Sequence, residues 1–319
     1  MEVLVTGGAG FLGYHVCERL LEEGHHVLCI DNLSSGSLYN IEKLEQYNNF
    51  IFLKRDIKHL QVYDVDVNTK QIWNLACPAS PPFYQSKPLD TLDTCYEGTK
   101  ALLNIARHLG STMLHFSTSE VYGDPEITPQ TEEYWGHVNP VGKRACYDEG
   151  KRIAETLCRE YIYNCGVDVR IVRIFNTYGP HMRKDDGRVI SNFINQAINN
   201  LPITIYGAGK QTRSFCYVSD LIRGLFMYMN CPKEKLPKVP ILNLGNPDEH
   251  TIEEVAKIIL KLFPESASTI IYKELPEDDP KQRMPNIDKT KMILDWEPQM
   301  SFSDGLQKTL EYFKEINKN

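Results

Sequence analysis

Tyr147 and Lys151 stand four residues apart, a spacing that puts both side chains on one face of a helix. An ammonium beside a phenol favours the phenolate, so the pair is expected to act as a base below the phenol's usual pKa of about 10. Spacing alone does not choose this pair, because Tyr39/Lys43, Tyr96/Lys100 and Tyr206/Lys210 repeat it. Tyr206 to Lys210 is a glycine turn and fails the helical requirement. Tyr39/Lys43 falls in a crossover that suits a surface ion pair. Tyr96/Lys100, on a plausible helix, is the real competitor. Tyr147/Lys151 is preferred because its helix follows the run Met113 to Ser117, which ends in Ser117-Thr118-Ser119-Glu120. That strand would deliver a hydroxyl and a carboxylate to the same edge of a sheet.

The sheet begins at the amino terminus. Val3-Leu4-Val5, Thr6-Gly7-Gly8-Ala9-Gly10-Phe11-Leu12-Gly13, a helix-period stretch from Tyr14 to Glu23, and Val27 to Ile30 ending in Asp31 read as strand, glycine turn, helix, strand, acid. Glycines let backbone approach a pyrophosphate, a helix N-terminus offers amides and a favourable dipole, and the carboxylate holds a ribose diol. Asp31, eighteen residues past Gly13, would repel a 2′-phosphate, so NAD is expected rather than NADP.

Strand and helix then alternate: Phe50 to Leu53, Gln71 to Leu75, a helix from 91 to 109, Met113 to Ser117, a helix from 147 to 164, and Val167 to Val172. The pattern predicts an α/β protein with a Rossmann-type doubly wound parallel sheet over residues 1–176. Beyond it, short runs (Ile203 to Tyr206, Ile241 to Leu244), helices and proline-rich loops predict a smaller α+β substrate-binding domain over 177–319. A segment near 212–240 is expected to return to the large domain.

Composition narrows the class. The 319 residues are 42% hydrophobic and 24% charged, as in a soluble globule with ample core material. A net charge of −7 argues against nucleic acid and acidic membrane as partners. The nine cysteines form no CxxC pair, no metal-ligand spacing occurs, and no apolar run reaches a membrane span. The first strand starts at residue 2, so a soluble cytoplasmic chain without metal is expected.

Gly7 to Gly13, Asp31-Asn32, Thr118 and Tyr147/Lys151 together resemble the extended short-chain dehydrogenase/reductases that act on nucleotide sugars. The strings Pro78 to Pro82, Thr118 to Pro125, Tyr134 to Pro140, Arg144 to Arg152 and Arg173 to Pro180 are similar to the UDP-glucuronate decarboxylase (UDP-xylose synthase) branch. The resemblance covers residues 1 to about 313, with departures at Cys77, where serine is commoner, at Asn286, and in a loop insertion from Lys233 to Lys238.

It implies decarboxylation of UDP-glucuronate through a 4-keto intermediate with NAD regenerated in place. Thr118, Tyr147 and Lys151 become a catalytic triad. Ser119 replaces the acid that dehydratases carry, and Glu120, which simple 4-epimerases usually lack, is expected to position substrate and order water near C5. The alternatives are a UDP-hexose 4-epimerase, a nucleotide-sugar 4,6-dehydratase, or a non-catalytic NAD sensor. Arg283 is expected to grip the uronate carboxylate. Arg188 and Arg213 should neutralise the UDP pyrophosphate, with Asn176 and Thr177 adding contacts and Tyr206 beside the nucleotide. Tyr84 either touches the sugar or packs in its loop. The implied cofactor set adds Phe11, Leu12, Asn32, Ser35, Gly36, Leu75 and Thr94, with Asp56 and Ile57 at the adenine edge. The helices at 91–109 and 147–164 resemble those of the family's homodimeric four-helix bundle, although their apolar stripes could equally face the sheet.

Overall fold

A computed structural model describes residues 1–274 and 282–317. Its centre is a parallel sheet of seven strands: β1 (Glu2–Thr6), β2 (His26–Asp31), β3 (Phe50–Lys54), β4 (Thr69–Asn74), β5 (Thr112–Thr118), β6 (Val169–Ile174) and a last strand, Ile241–Leu244. Across the sheet the order is Ile241–Leu244, β6, β5, β4, β1, β2, β3. The chain thus winds outward in both directions from β1 and β4, and a crevice opens at the carboxyl ends where the direction reverses. Register brings those ends level: Thr6 pairs with Asn74, Asn74 with His115, and Thr118 with Ile174. The central strands are near-continuous buried runs (Val3, Leu4, Val5; Ile72, Trp73; Met113, Leu114), as helices on both faces require.

The glycine turn is built so that no side chain could enter it. Gly7 has φ +76°, and a Cβ there would lie 2.8 Å from the Ala76 nitrogen. At Gly13 a Cβ would lie 2.1 Å from the Gly7 carbonyl oxygen. The helix Phe11–Glu22 therefore starts flush against β1 and β4, with its first amides facing the crevice edge.

Two stretches differ from the expected outline. The helix expected over 91–109 is interrupted: Pro88–Asp93 and Thr99–Leu109 flank a π-helical turn at Thr94–Gly98. Gly98 seats the Ile57 side chain so closely that an added Cβ would lie 2.4 Å from Ile57 Cδ1. Local packing at a π-turn overrides helical periodicity, as such turns often do beside functional sites. Ile241–Leu244, expected among the short strands of the second lobe, pairs with β6 instead. Its Leu242 and Leu244 are fully buried and extend the main core. The returning stretch therefore runs past residue 240.

The remaining residues pack helices Val189–Ile198, Ile252–Leu262 and Phe302–Ile316 against short strands. Thr212–Ser214 pairs antiparallel with Glu249–Thr251 and parallel with Gln282–Arg283, which sets Arg213 opposite Arg283 in register. The charged run Asp278-Asp279-Pro280-Lys281, which precedes Gln282 and Arg283 in the sequence, lies outside the described residues. Among the described residues no helix is long and apolar enough to cross a membrane.

Candidate active site

A cleft of about 740 Å³ runs from the glycine turn across the carboxyl edge of the sheet to the small strands of the second lobe. Every site residue named from the sequence lines it. At one end are Gly7, Gly10, Phe11, Leu12 and Gly13, with Asp31, Asn32, Ser35, Gly36, Asp56 and Ile57 beside them. Asp31 ends β2, accepts hydrogen bonds from the Ala9 and Leu33 amides, and is buried. Each carboxylate oxygen keeps a further lone pair for a ligand hydroxyl. Asn32 donates to Asp56, which also accepts from the Lys58 amide, so this rim is tied together by its own hydrogen bonds.

The middle of the cleft is formed by Leu75, Thr94, Thr118, Ser119, Glu120, Tyr147 and Lys151. Thr118 is the last residue of β5 and caps the turn Ser119–Tyr122, accepting from the Glu120 amide at 3.2 Å. Tyr147 and Lys151 lie near the start of the helix Ala145–Cys165. Lys151 Nζ donates to the Phe116 carbonyl at 2.8 Å and stands 5.9 Å from the Tyr147 ring centre. The lysine-driven lowering expected for Tyr147 is not what the structure shows. Burial pushes the phenol well up, the charges at Cys77 and Glu120 add to it, and hydrogen bonding to Thr118 offsets only part. Lys151 is anchored to backbone, so Tyr147 is held as a protonated phenol.

Charge is concentrated beside it. Arg283 forks onto both oxygens of Glu120, and Arg144 donates to one of them. Burial alone would keep Glu120 protonated, but Arg283 and then Arg144 overcome it and hold the carboxyl down to about 2. Asp148, one turn beyond Arg144, responds the other way: burial and then the charge of Glu120 push it up to about 7. Arg283, expected to be available for a substrate carboxylate, is thus already engaged by a protein carboxylate of the same chemistry. Arg144 and Asp148 carried no role in the sequence reading. Their signal was spacing, since Arg144 precedes Tyr147 by three residues and shares its helical face.

The cleft is also lined by Tyr84, Asn176, Thr177, Arg188, Tyr206 and Arg213, with the Arg188 guanidinium 5.9 Å from the Phe11 ring centre. Tyr84 is buried and stacks on Tyr147, ring centres 4.9 Å apart and planes at 6°. Among the described residues its hydroxyl, buried at the cleft wall, has no hydrogen-bond partner. Arg188 is gripped through two nitrogens by Asp186, which compensates its charge locally. Thr177 Oγ1 donates to the Phe175 carbonyl, and Arg213 to the Thr212 carbonyl. Tyr206 is 43% exposed at the rim. Among the described residues no group of His, Cys, Asp and Glu is arranged to hold a metal ion.

Residues 3–245, which carry the glycine turn, the buried Asp31 and the Tyr147/Lys151 pair, match a family model, NAD dependent epimerase/dehydratase family. The chain belongs to that family. NAD is its cofactor, and the cradle and the anchored Asp31 fit it. Among curated relatives, UDP-glucuronic acid decarboxylase 1 of Xenopus tropicalis is 48% identical over 313 residues, which are 98% of this chain and 72% of that protein. UDP-glucuronic acid decarboxylase 6 of Arabidopsis thaliana is 46% identical over 98% of this chain and 89% of its own length. Among solved structures, UDP-glucuronic acid 4-epimerase from Bacillus cereus with UDP-glucuronic acid and NAD superposes with a TM-score of 0.89 at 28% identity, covering 99% of this chain and all of that one. UDP-glucose 4-epimerase of Thermotoga maritima, at 25% identity, gives 0.88 over 99% of this chain and all of its own.

Proposed function

We propose that this family member decarboxylates UDP-glucuronate to UDP-xylose and CO₂, with NAD reduced and reoxidised within one turnover. The observation that carries the reading is Glu120, an ionised carboxylate held by Arg283 and Arg144 in the cleft that holds Tyr147. Near-half identity to UDP-glucuronic acid decarboxylases supports the substrate. When bound, NAD supplies a two-electron acceptor and a formal positive charge.

The chain's own residues do the rest. Tyr147 takes the proton of the C4 hydroxyl, and the positive charge of the oxidised cofactor compensates the burial that otherwise keeps the phenol protonated. Once C4 is a ketone, the sugar is a β-keto acid and its carboxylate leaves as CO₂, because the carbonyl accepts the electrons as an enolate. Tyr147 and Thr118 donate to that oxygen, a contribution of a few kcal/mol. Arg283 exchanges Glu120 for the uronate carboxylate, which frees Glu120 to order water for protonation at C5. Ser119 offers no acid to a departing hydroxyl, which disfavours dehydration. Arg188 and Arg213 face the pyrophosphate, with Asn176, Thr177 and Tyr206 along the nucleotide. Tyr84 packs on Tyr147 and presents its unpartnered hydroxyl to the sugar.

We infer a two-lobed division in which the stretch returning to the first lobe extends through Leu244, a cytoplasmic location in keeping with nine free cysteines, and a homodimer through the helices of 88–109 and 145–165. The dimer is supported by apolar side chains those helices leave outside, among them Leu89, Tyr96 and Ile153. Incubation with UDP-glucuronate and NAD followed by mass spectrometry tests the reaction. Loss of one CO₂ is expected, whereas an unchanged nucleotide-sugar mass or loss of one water would replace decarboxylation with epimerisation or dehydration.

A further inference from the structure

Two thiols meet at the wall of the cleft, and the reaction proposed above uses neither. Cys77 follows β4, lines the cleft and is partly exposed to it. Its sulfur lies 3.4 Å from that of Cys95, which sits in the π-turn Thr94–Gly98 and is 3% exposed. We propose that Cys77 and Cys95 form a peroxide-responsive dithiol that closes to a disulfide and switches the site off.

The pair is asymmetric in the way such chemistry needs. Cys77 faces the cleft and is poised to ionise. A hydrogen bond from Cys95 first, and the charge of Lys151 against the cost of burial, bring its thiol down to about 7. A thiol in that range is substantially thiolate near neutral pH and reactive where solvent reaches it. Cys95 is pushed up, so it remains a thiol until its partner is oxidised. A second close pair, Cys17 and Cys29, shows the contrast. Both are fully buried beneath Gly8, where an added Cβ would lie 2.4 Å from the Cys29 sulfur, and neither lines the cleft.

The chemistry balances with hydrogen peroxide as oxidant. The Cys77 thiolate attacks one peroxide oxygen; an S–O bond forms, the O–O bond breaks, and the departing hydroxide is protonated to water. The Cys95 sulfur then attacks Cys77, the S–S bond forms, the S–O bond breaks, and the Cys95 proton leaves with the second water. Two thiols lose two electrons, and one peroxide becomes two waters.

Closure from 3.4 Å to a bond of roughly 2.05 Å must bring the two sulfurs about an ångström closer. Cys95 has little room, because its sulfur abuts Gly150, where a Cβ would lie 3.0 Å away. Gly150 belongs to the same helical turn as Tyr147 and Lys151. Cys77 would be drawn from its contact with the Pro78 carbonyl, reshaping the cleft wall. A shift of that size next to the reacting groups costs about a hundredfold in rate.

The test treats the whole protein with equimolar peroxide, maps thiols by peptide mass spectrometry and follows turnover of UDP-glucuronate. A Cys77–Cys95 linked peptide is expected, with about a hundredfold loss of turnover that dithiothreitol restores. Cys95→Ser should keep the basal rate, yield no linked peptide and trap a sulfenic acid at Cys77 with dimedone. The proposal is overturned if Cys95 remains a free thiol after treatment, or if the linked protein turns over like the reduced one. The loss of turnover rests on the reaction proposed above, but the linked peptide does not. A wrong substrate would leave reduced protein inactive while the link still formed.

Discussion

Glu120 occupies a position that the substrate's own carboxylate is proposed to take, and Glu120→Gln tests that exchange. Glu120 accepts three guanidinium hydrogen bonds, two from Arg283 and one from Arg144. Arg283 is 5% exposed, and its Nε has no hydrogen-bond partner among the described residues. Breaking a buried ion pair by neutralising one side costs about 3–5 kcal/mol. Two effects pull the figure to the lower end. The glutamine carbonyl can still accept one of the bonds. Loss of the Glu120 charge also removes the largest of the charges that raise Asp148, which can then ionise beside Arg144. The expected loss is about 3 kcal/mol, which at about 2 °C per kcal/mol for a chain of this size lowers Tm by about 6 °C.

The ligand arm makes the prediction specific. In a Tyr147→Phe background, which leaves the sugar unturned, melts with NAD plus either UDP-glucuronate or UDP-glucose are compared. UDP-glucuronate should return part of the lost stability because its carboxylate meets Arg283; UDP-glucose, without one, should not. Equal shifts by the two sugars in Tyr147→Phe/Glu120→Gln would falsify the exchange, and an unshifted apo Tm would remove the buried pair as a source of stability.

Tyr147→Phe alone removes the only phenolic oxygen assigned to C4 and should abolish CO₂ release from labelled UDP-glucuronate while NAD still binds; release at the native rate would dismiss Tyr147 as the base. Asp148, raised from an ordinary 3.8 to about 7, keeps its proton in the fold over a range where the unfolded chain has lost it. Stability on its account is therefore full below pH 3.8 and is lost as pH rises through about 7, at about 1.4 kcal/mol per pKa unit. Asp148→Asn should flatten the fall of Tm between pH 5 and 8, and parallel pH profiles for the two proteins would count against the assignment. Gly13→Ala places a Cβ 2.1 Å from the Gly7 carbonyl oxygen, backbone that cannot yield without opening the turn. Loss of NAD binding by titration calorimetry is expected even in protein that still folds, and native affinity would show that the turn relaxes.

What was legible in the sequence follows from what is local. The glycine turn, Asp31 and the Tyr147/Lys151 spacing are each set by a few consecutive residues, and the structure places them where the pattern requires. Ile241–Leu244 was legible as a strand but not as a member of the main sheet, because pairing with β6 is decided by a contact some seventy residues away. The π-turn at Thr94–Gly98 was hidden because its cause, Ile57 against Gly98, is likewise non-local. Electrostatics were the least legible. A lysine four residues from a tyrosine suggests a lowered phenol, yet the sign is set by burial and by Cys77 and Glu120, none of them on that helix. An arginine in a charged run says nothing about its partner until Gln282–Arg283 is laid beside Thr212–Ser214 and the fork reaches Glu120 at the end of β5. The two charged ends of that contact are 163 residues apart. Their meeting is a property of the folded chain, and so is the competition proposed between Glu120 and the sugar. Any substitution that loosens the pairing of Thr212–Ser214 with Gln282–Arg283 should therefore weaken discrimination between UDP-glucuronate and UDP-glucose before it weakens binding of NAD at the glycine turn.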